Sequence, residues 1–219
     1  MYSDENFMNF KPNCKNKWEG LDFLARQSEN AYRVMFFDPQ YRGVLDKLKY
    51  GNEGKSRGKE RANLPQMSED TIGRFIDMAY HCIAPNGYIF LWLDKFHLCQ
   101  GVDHWWDAPL KIVDLITWDK CRMGMGYRTR RQSEYLLVLQ KEPAKAKETW
   151  HVYDIPDVWQ EKISVKNHPH TKPINLIKKL IMATTENGDY VIDPAAGGYN
   201  VLYAAVDCNR NFLGCDILG

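Results

Sequence analysis

The sequence predicts an α/β fold, a mostly parallel sheet with helices on both faces. Three observations lead there. Short apolar runs of strand length recur along the 219 residues, among them VMFF (34–37), YIFLWL (88–93) and YVID (190–193). Runs this short and this uniformly apolar suit strands buried on both faces. Between them lie segments with apolar residues at helical spacing, and that alternation calls for a parallel sheet covered on both sides. Finally, three runs end in an acid, Asp38, Asp193 and Asp216. In open α/β sheets the carboxyl ends of the strands are where ligands sit.

In chain order, LDFLARQ (21–27) has helical spacing and VMFF follows as a strand. The stretch 46–66, DKLKYGNEGKSRGKERANLPQ, is too long and too hydrophilic for a simple connection and reads as a mobile functional loop. SEDTIGRFIDMAYHCI (68–83) opens with an N-cap serine and carries Ile72, Phe75, Ile76 and Ala79 on one helical face. Pro85-Asn86-Gly87 is expected to stop it before the strand 88–93. A helix around 95–105 and strands at 112–118 and 134–140 come next. The low-regularity segment 141–172 is expected outside the sheet. Pro173 suits the first turn of a helix over 173–185. The strand 190–193, a helix near 199–207 and the strand 211–217 close the pattern.

Composition narrows the function classes. Apolar residues are 44% and charged residues 26%, as in ordinary globular proteins. The longest apolar stretches are far short of a membrane span, and MYSDENFMNF has no signal-peptide h-region. Six cysteines without any CxxC pair, and histidines without ligand spacing, argue against a metal site and for reduced thiols in a cytoplasmic protein. Net charge is only +1, so binding a nucleic acid would need local basic patches.

Three motifs carry chemistry. In DPQY (38–41), an acid and a backbone carbonyl beside an aromatic ring can receive a planar group bearing an amino function. Asp38 and the Pro39 carbonyl can each accept one N–H, while Tyr41 stacks on the ring. In VIDPAAGG (191–198) a glycine pair opens a helix whose terminal amides favour a negative group. In RNFLGCDI (210–217), Asp216 lies about 20 residues past that glycine turn, where an acid can bind ribose hydroxyls. Any one of these is a common strand-end feature. The glycine turn and the ribose-type acid on adjacent strands point together to an adenosine-bearing cofactor.

DPQY (38–41), HPHTKP (168–173), DPAAGG (193–198) and NFLGCD (211–216), in that order, resemble the permuted, β-class amino-methylating DNA methyltransferases, which use S-adenosylmethionine. That family runs DPPY, a target-recognition segment, HPTxKP, DPFxGSGT and then a strand ending in Glu or Asp. The likeness spans nearly the whole chain from about residue 18 and implies a single Rossmann-like methyltransferase domain over 1–219 in circularly permuted motif order. It gives Asp38, Pro39 and Tyr41 to the amino-methylation site. Asp193, Pro194, Ala195 and Gly197 would line the cofactor, with Asp216 on its ribose. His168, Thr171 and Lys172 would close over its methionine end. Gln40 departs from the second proline of the family motif. Tyr199 and Asn200 stand where the family has Gly-Thr, which puts the contact to the methionine moiety in question. The sequence ends at Gly219, just after the last strand and without the helix that follows in the family. The adenine side of the pocket is therefore expected to be more exposed, or covered by a partner subunit.

The implied reaction is direct methyl transfer to the amino nitrogen of a base flipped out of double-stranded DNA. Methylation at cytosine C5 would need a Pro-Cys nucleophile, and the chain has no Pro-Cys dipeptide. Within the family Asp at the first motif position goes with adenine, and cytosine-amino enzymes more often have Ser. Two basic segments could track phosphates. One holds Lys55, Arg57, Lys59 and Arg61, after DPQY, and the other Arg122, Arg128, Arg130 and Arg131. Target recognition would fall to 46–66, 120–132 and the insertion at 143–166, with Trp150, Tyr153 and Trp159 as stacking candidates or local packing. Glu134 is expected to pair with a neighbouring arginine, and His104-Trp105-Trp106 to lie in the core. A homodimer is a candidate assembly, and a restriction–modification setting is implied by the same resemblance. An enzyme acting on cytosine amino groups, one acting on RNA adenine, and an inactive nucleic-acid-binding subunit stand as alternatives.

Overall fold

A computed structural model describes residues 10–39, 67–124, 128–163 and 171–219. The loop expected at 46–66 lies outside the described residues. Strand β1 (Asn16–Lys17), helix α1 (Gly20–Ala25) and strand β2 (Tyr32–Phe37) come first. Helix α2 (Glu69–Cys82) runs directly into β3 (Ile83–Leu93), and α3 (Lys95–Gln100) follows. Strands β4 (Leu110–Asp119), β5 (Ser133–Lys141) and β6 (Val158–Gln160) precede α4 (Ile174–Thr184), β7 (Tyr190–Asp193), α5 (Asn200–Asp207) and β8 (Asn211–Asp216).

Among the described residues the strands form one sheet in the order β1-β8-β7-β2-β3-β5-β4-β6. Pairing is parallel from β1 through β8, β7 and β2 to β3, and again between β4 and β6. Only β5 runs antiparallel, to β3 on one side and β4 on the other. Helices cover both faces. Phe23 and Leu24 of α1 and Ile72, Phe75 and Ile76 of α2 pack on Met35 and Phe37. Leu176, Ile177 and Leu180 of α4 and Val201 and Leu202 of α5 pack on Val34 and Phe36. Alternate residues of β2 thus feed opposite cores, as a period of two requires. Fully burying side chains of this size contributes roughly 1.5–3 kcal/mol each, which anchors β2 from both faces.

The helix starts follow local chemistry. Glu19 accepts a hydrogen bond from the Asp22 N–H, and Ser68 from the Thr71 N–H. Asp94 accepts from the Phe96 and His97 N–H groups. Each satisfies donors that a helix terminus leaves without intrahelical partners.

Four expectations need correcting. The Pro85-Asn86-Gly87 triplet does not separate α2 from a strand starting at 88, because β3 begins at Ile83 and absorbs the triplet as an irregularity, with Asn86 at φ +62°. Helix α3 stops at Gln100, where Gly101 takes φ +82°, a conformation glycine adopts at no steric cost. Residues 141–172 are not wholly outside the sheet, since Val158–Gln160 pairs with Thr117–Asp119 at its edge. At the other edge β1, too short to read as a strand, pairs with β8. Trp105 and Trp106 do join the core, while His104 is exposed.

Candidate active site

The strand order brings the three acid-tipped strands side by side, as β8, β7 and β2. Their carboxyl ends open into a cavity of about 330 Å³. Asp38, Lys172, Asp193, Pro194, Ala195, Gly197 and Asp216 all line it. Pro39 is buried directly after Asp38, and Thr171 precedes Lys172 without lining the cavity. Tyr41 and His168 lie outside the described residues, as do Lys55, Arg57, Lys59 and Arg61.

The turn after β7 is held from below. Asp193 accepts a hydrogen bond from the Ala195 N–H at 3.1 Å, and Asp216 accepts one from the Gly197 N–H at 3.1 Å. Gly197 itself has φ +49°. From the other side Gly20 sits so close that a Cβ there would lie 2.3 Å from the Pro194 carbonyl oxygen. Apolar walls come from Phe36, Trp92, Ile177 and Val201 on the α4 side and Met67, Phe75 and Ile217 on the other. Glu19, Gly20, Thr71, Ala196, Gly198 and Asn200 complete the lining among the described residues. Sequence reading did not bring Glu19, Gly20, Met67, Thr71, Phe75, Trp92 and Ile177 to the site because they come from elements distant along the chain from its motifs. Of the starts of α1 and α2, only the Ser68 cap of α2 was legible in the sequence.

Tyr199 does not enter the cavity. It occupies a left-handed conformation (φ +57°) at the start of α5, and its buried ring meets Phe212 edge-on. Its hydroxyl donates to the Asn16 carbonyl at 3.0 Å. The unusual tyrosine thus pins β1 beneath the turn, and Asn200 is the residue that faces the cavity.

A family model for DNA methylases matches residues 32–218. The chain belongs to this family. This DNA methylase is 54% identical to Type II methyltransferase M.HhaII of Haemophilus parahaemolyticus, over all of its own length and 96% of that protein. It also resembles the PvuII DNA methyltransferase, described as cytosine-N4-specific (TM-score 0.70, 15% identity, 95% of this chain and 86% of that one). The M1.HpyAVI–SAM complex matches with TM-score 0.63 and 15% identity over 91% and 90% of the two chains. These structures share the Rossmann-like methyltransferase fold.

The electrostatics of the methylase cavity are uneven. Among the described residues, four carboxyl groups line it, from Glu19, Asp38, Asp193 and Asp216, against one ammonium, from Lys172. Burial pushes the Asp193 carboxyl well above the usual range against the pull of the Ala195 N–H, and the charges of Asp38 and Asp216 push the same way. The Lys172 ammonium lies 2.9 Å from Asp38 Oδ1 and 2.9 Å from Glu134 Oε2. It also sits 5.0 Å from the centre of the Trp92 ring. Lys120 holds the other oxygen of Glu134. Burial alone would raise the Glu134 carboxyl, but the two ammonium groups more than reverse this and bring it down to about 2.

Glu134 therefore pairs with two lysines and not with an arginine. The neighbouring arginines are engaged elsewhere. Arg130 donates to the Gly124 carbonyl, and Arg131 lies over the Phe96 ring. Arg122 and Arg128 are exposed in the same turn. Of the aromatic candidates, Trp150 and Trp159 pack against the core under α4, while Tyr153 is exposed. Among the described residues no helix is long and apolar enough to cross a membrane, and no His, Cys, Asp and Glu side chains gather as a metal site.

Proposed function

We propose that this DNA methylase transfers a methyl group from S-adenosylmethionine to the exocyclic amino nitrogen of an adenine flipped out of double-stranded DNA. The observation that carries the reading is a single cavity with Asp38 and the ribose-type acid Asp216 both on its lining, at the ends of neighbouring strands β2, β7 and β8. The cavity suits the cofactor. Asp216 offers carboxylate oxygens for ribose hydroxyls. The run Pro194–Gly198 is small enough for close approach, and the Glu19 and Asp216 carboxylates on the lining favour a ligand carrying a sulfonium and an ammonium.

When bound, S-adenosylmethionine supplies an electrophilic methyl group on a sulfonium whose sulfur keeps the electron pair of the broken bond. The chain supplies position. Asp38 and the Pro39 carbonyl each accept an amino N–H, turning the nitrogen lone pair toward the methyl carbon. As the N–C bond forms the nitrogen becomes positive and releases one proton, and Asp38 is its first acceptor. Tyr41 stacks on the base. His168 and Thr171 close over the methionine end of the cofactor, and Pro194, Ala195 and Gly197 give it backbone contact. The arginine-bearing turn, with Lys55, Arg57, Lys59 and Arg61, tracks phosphates, and residues 143–166 contribute to target choice. Asp at the first motif position favours adenine over cytosine. A cytoplasmic enzyme, active as a monomer or a homodimer, fits this role.

The test incubates the protein with S-adenosylmethionine and unmethylated mixed-sequence DNA, with RNA in parallel, and analyses nucleosides by mass spectrometry. N6-methyladenine from DNA, abolished in Asp38→Ala while cofactor binding persists, is the expected result. Methylated cytosine, signal from RNA alone, or an active Asp38→Ala variant would overturn it.

A further inference from the structure

We propose that Glu134 is a positioning residue for methyl transfer, acting through Lys172 on the Asp38 carboxylate. The proposal rests on the function given above and deepens it. Lys172 was expected to serve the cofactor, yet its ammonium bridges two carboxylates, Asp38 and Glu134, at 2.9 Å each. The fold explains how they meet. Strand β5 is antiparallel to β3 and pairs Leu136 with Trp92, so its amino end reaches the edge where β2 delivers Asp38. Glu134, two residues before Leu136, shares the face of Leu136. Lys172 lies just before Pro173, the residue that caps α4.

A chain of half-buried charges around the buried Lys172 is a poor way to gain stability, because desolvation consumes much of the Coulombic gain. Its place beside a reacting carboxylate gives it a better reason to exist. An ammonium facing Asp38 without a counter-charge would work against the reaction twice. It would compete with the amino group for the carboxylate lone pairs. It would also stand beside a nitrogen that becomes positive as the N–C bond forms. Glu134 counters both effects, since it takes up one of the three Lys172 donors and offsets its charge. Lys120 in turn holds the second Glu134 oxygen, which keeps the carboxylate aimed at Lys172. Asp38 is then gripped through Oδ1 in a fixed orientation toward the cavity.

The test is Glu134→Gln, which keeps the shape and removes the charge. The expected result is a fall in kcat of about ten- to a hundredfold, while KM for DNA and the cofactor Kd shift by less than about twofold. The double variant with Lys172→Gln should be no slower than Lys172→Gln alone, because Glu134 acts only through that lysine. Wild-type kcat in Glu134→Gln, or losses that multiply in the double variant, would overturn the proposal. Should Glu134→Gln fail to fold, Glu134→Asp retains the charge but withdraws it by one methylene. Several-fold slower turnover is expected there, and unchanged kcat would overturn the proposal. Wild-type protein and Asp38→Ala run alongside. An inactive wild type would sink the proposed function itself, whereas an active wild type with an indifferent Glu134 would sink only this inference.

Discussion

Gly20 offers a direct test of how the cavity floor is built. It begins α1, is buried, and faces the turn that follows β7. A Cβ added there would lie 2.3 Å from the Pro194 carbonyl oxygen and 2.6 Å from the Phe75 ring, where real contacts essentially never fall below 3.0 Å. The Phe75 ring can tilt, but the Pro194 oxygen belongs to backbone held by the Asp193 and Asp216 hydrogen bonds. Retreating to 3.0 Å means moving that backbone by about 0.7 Å. Overpacking of this kind costs roughly 1–3 kcal/mol, and for a chain of this size each kcal/mol lowers Tm by about 2–4 °C. Gly20→Ala should therefore lose several degrees in a thermal melt. Calorimetric titration should also show S-adenosylmethionine bound at least about tenfold more weakly, since 1.4 kcal/mol is a factor of ten and the displaced backbone is the cavity wall. Gly188→Ala is the control. Its φ of +86° strains any side chain, but nothing lies within 4 Å of the added atom, so it should lose stability without losing affinity. Wild-type Tm and Kd in Gly20→Ala would refute the reasoning.

Two further outcomes follow from the same site. Asp193 has a folded-state affinity for its proton raised by burial, so as pH climbs above the ordinary carboxylate range the folded state carries a growing penalty that the unfolded chain does not. Asp193→Asn keeps an acceptor for the Ala195 N–H, and its Tm advantage over wild type should grow from pH 5 toward pH 8; a constant difference would contradict the assignment. Tyr199→Phe removes the hydrogen bond to the Asn16 carbonyl and should cost about 1 kcal/mol, with faster amide exchange along β1 and unchanged cofactor affinity. Protected β1 amides in that variant would rule out the pinning role.

How much of this was legible in the sequence depended on burial. Strands β2 and β7 could be read because both of their faces are covered, which makes them continuous apolar runs. Strands β1 and β6 could not, being two and three residues long with mixed exposure. The end of α3 was overrun because Trp105 and Trp106 look like a continuing apolar face, although they reach the core from a loop packed on Gly73. In the cavity, Asp38, Asp193 and Asp216 announced themselves by ending strands. Glu134 did not. Its sequence neighbours are arginines, while its partners, Lys120 and Lys172, are 14 and 38 residues away, and the direction of β5 brings it to Lys172.

That direction has consequences for the whole catalytic edge. In a fully parallel sheet, the segment entering β5 would lie at the amino ends of the strands, across the molecule from Asp38. Because β5 is reversed, Tyr135 pairs with Leu93, and the turn between β4 and β5 emerges beside the end of β3. One antiparallel strand thus moves Glu134 and the arginines at 122–131 to the cavity side together. A base taken from DNA bound along that turn would have to travel only a short way along one edge to reach Asp38. In the proposed function, the reversed strand couples Glu134, and through Lys172 the Asp38 carboxylate, to the arginine-bearing turn. Substitutions in the turn that shift β5 would therefore disturb turnover as well as DNA affinity.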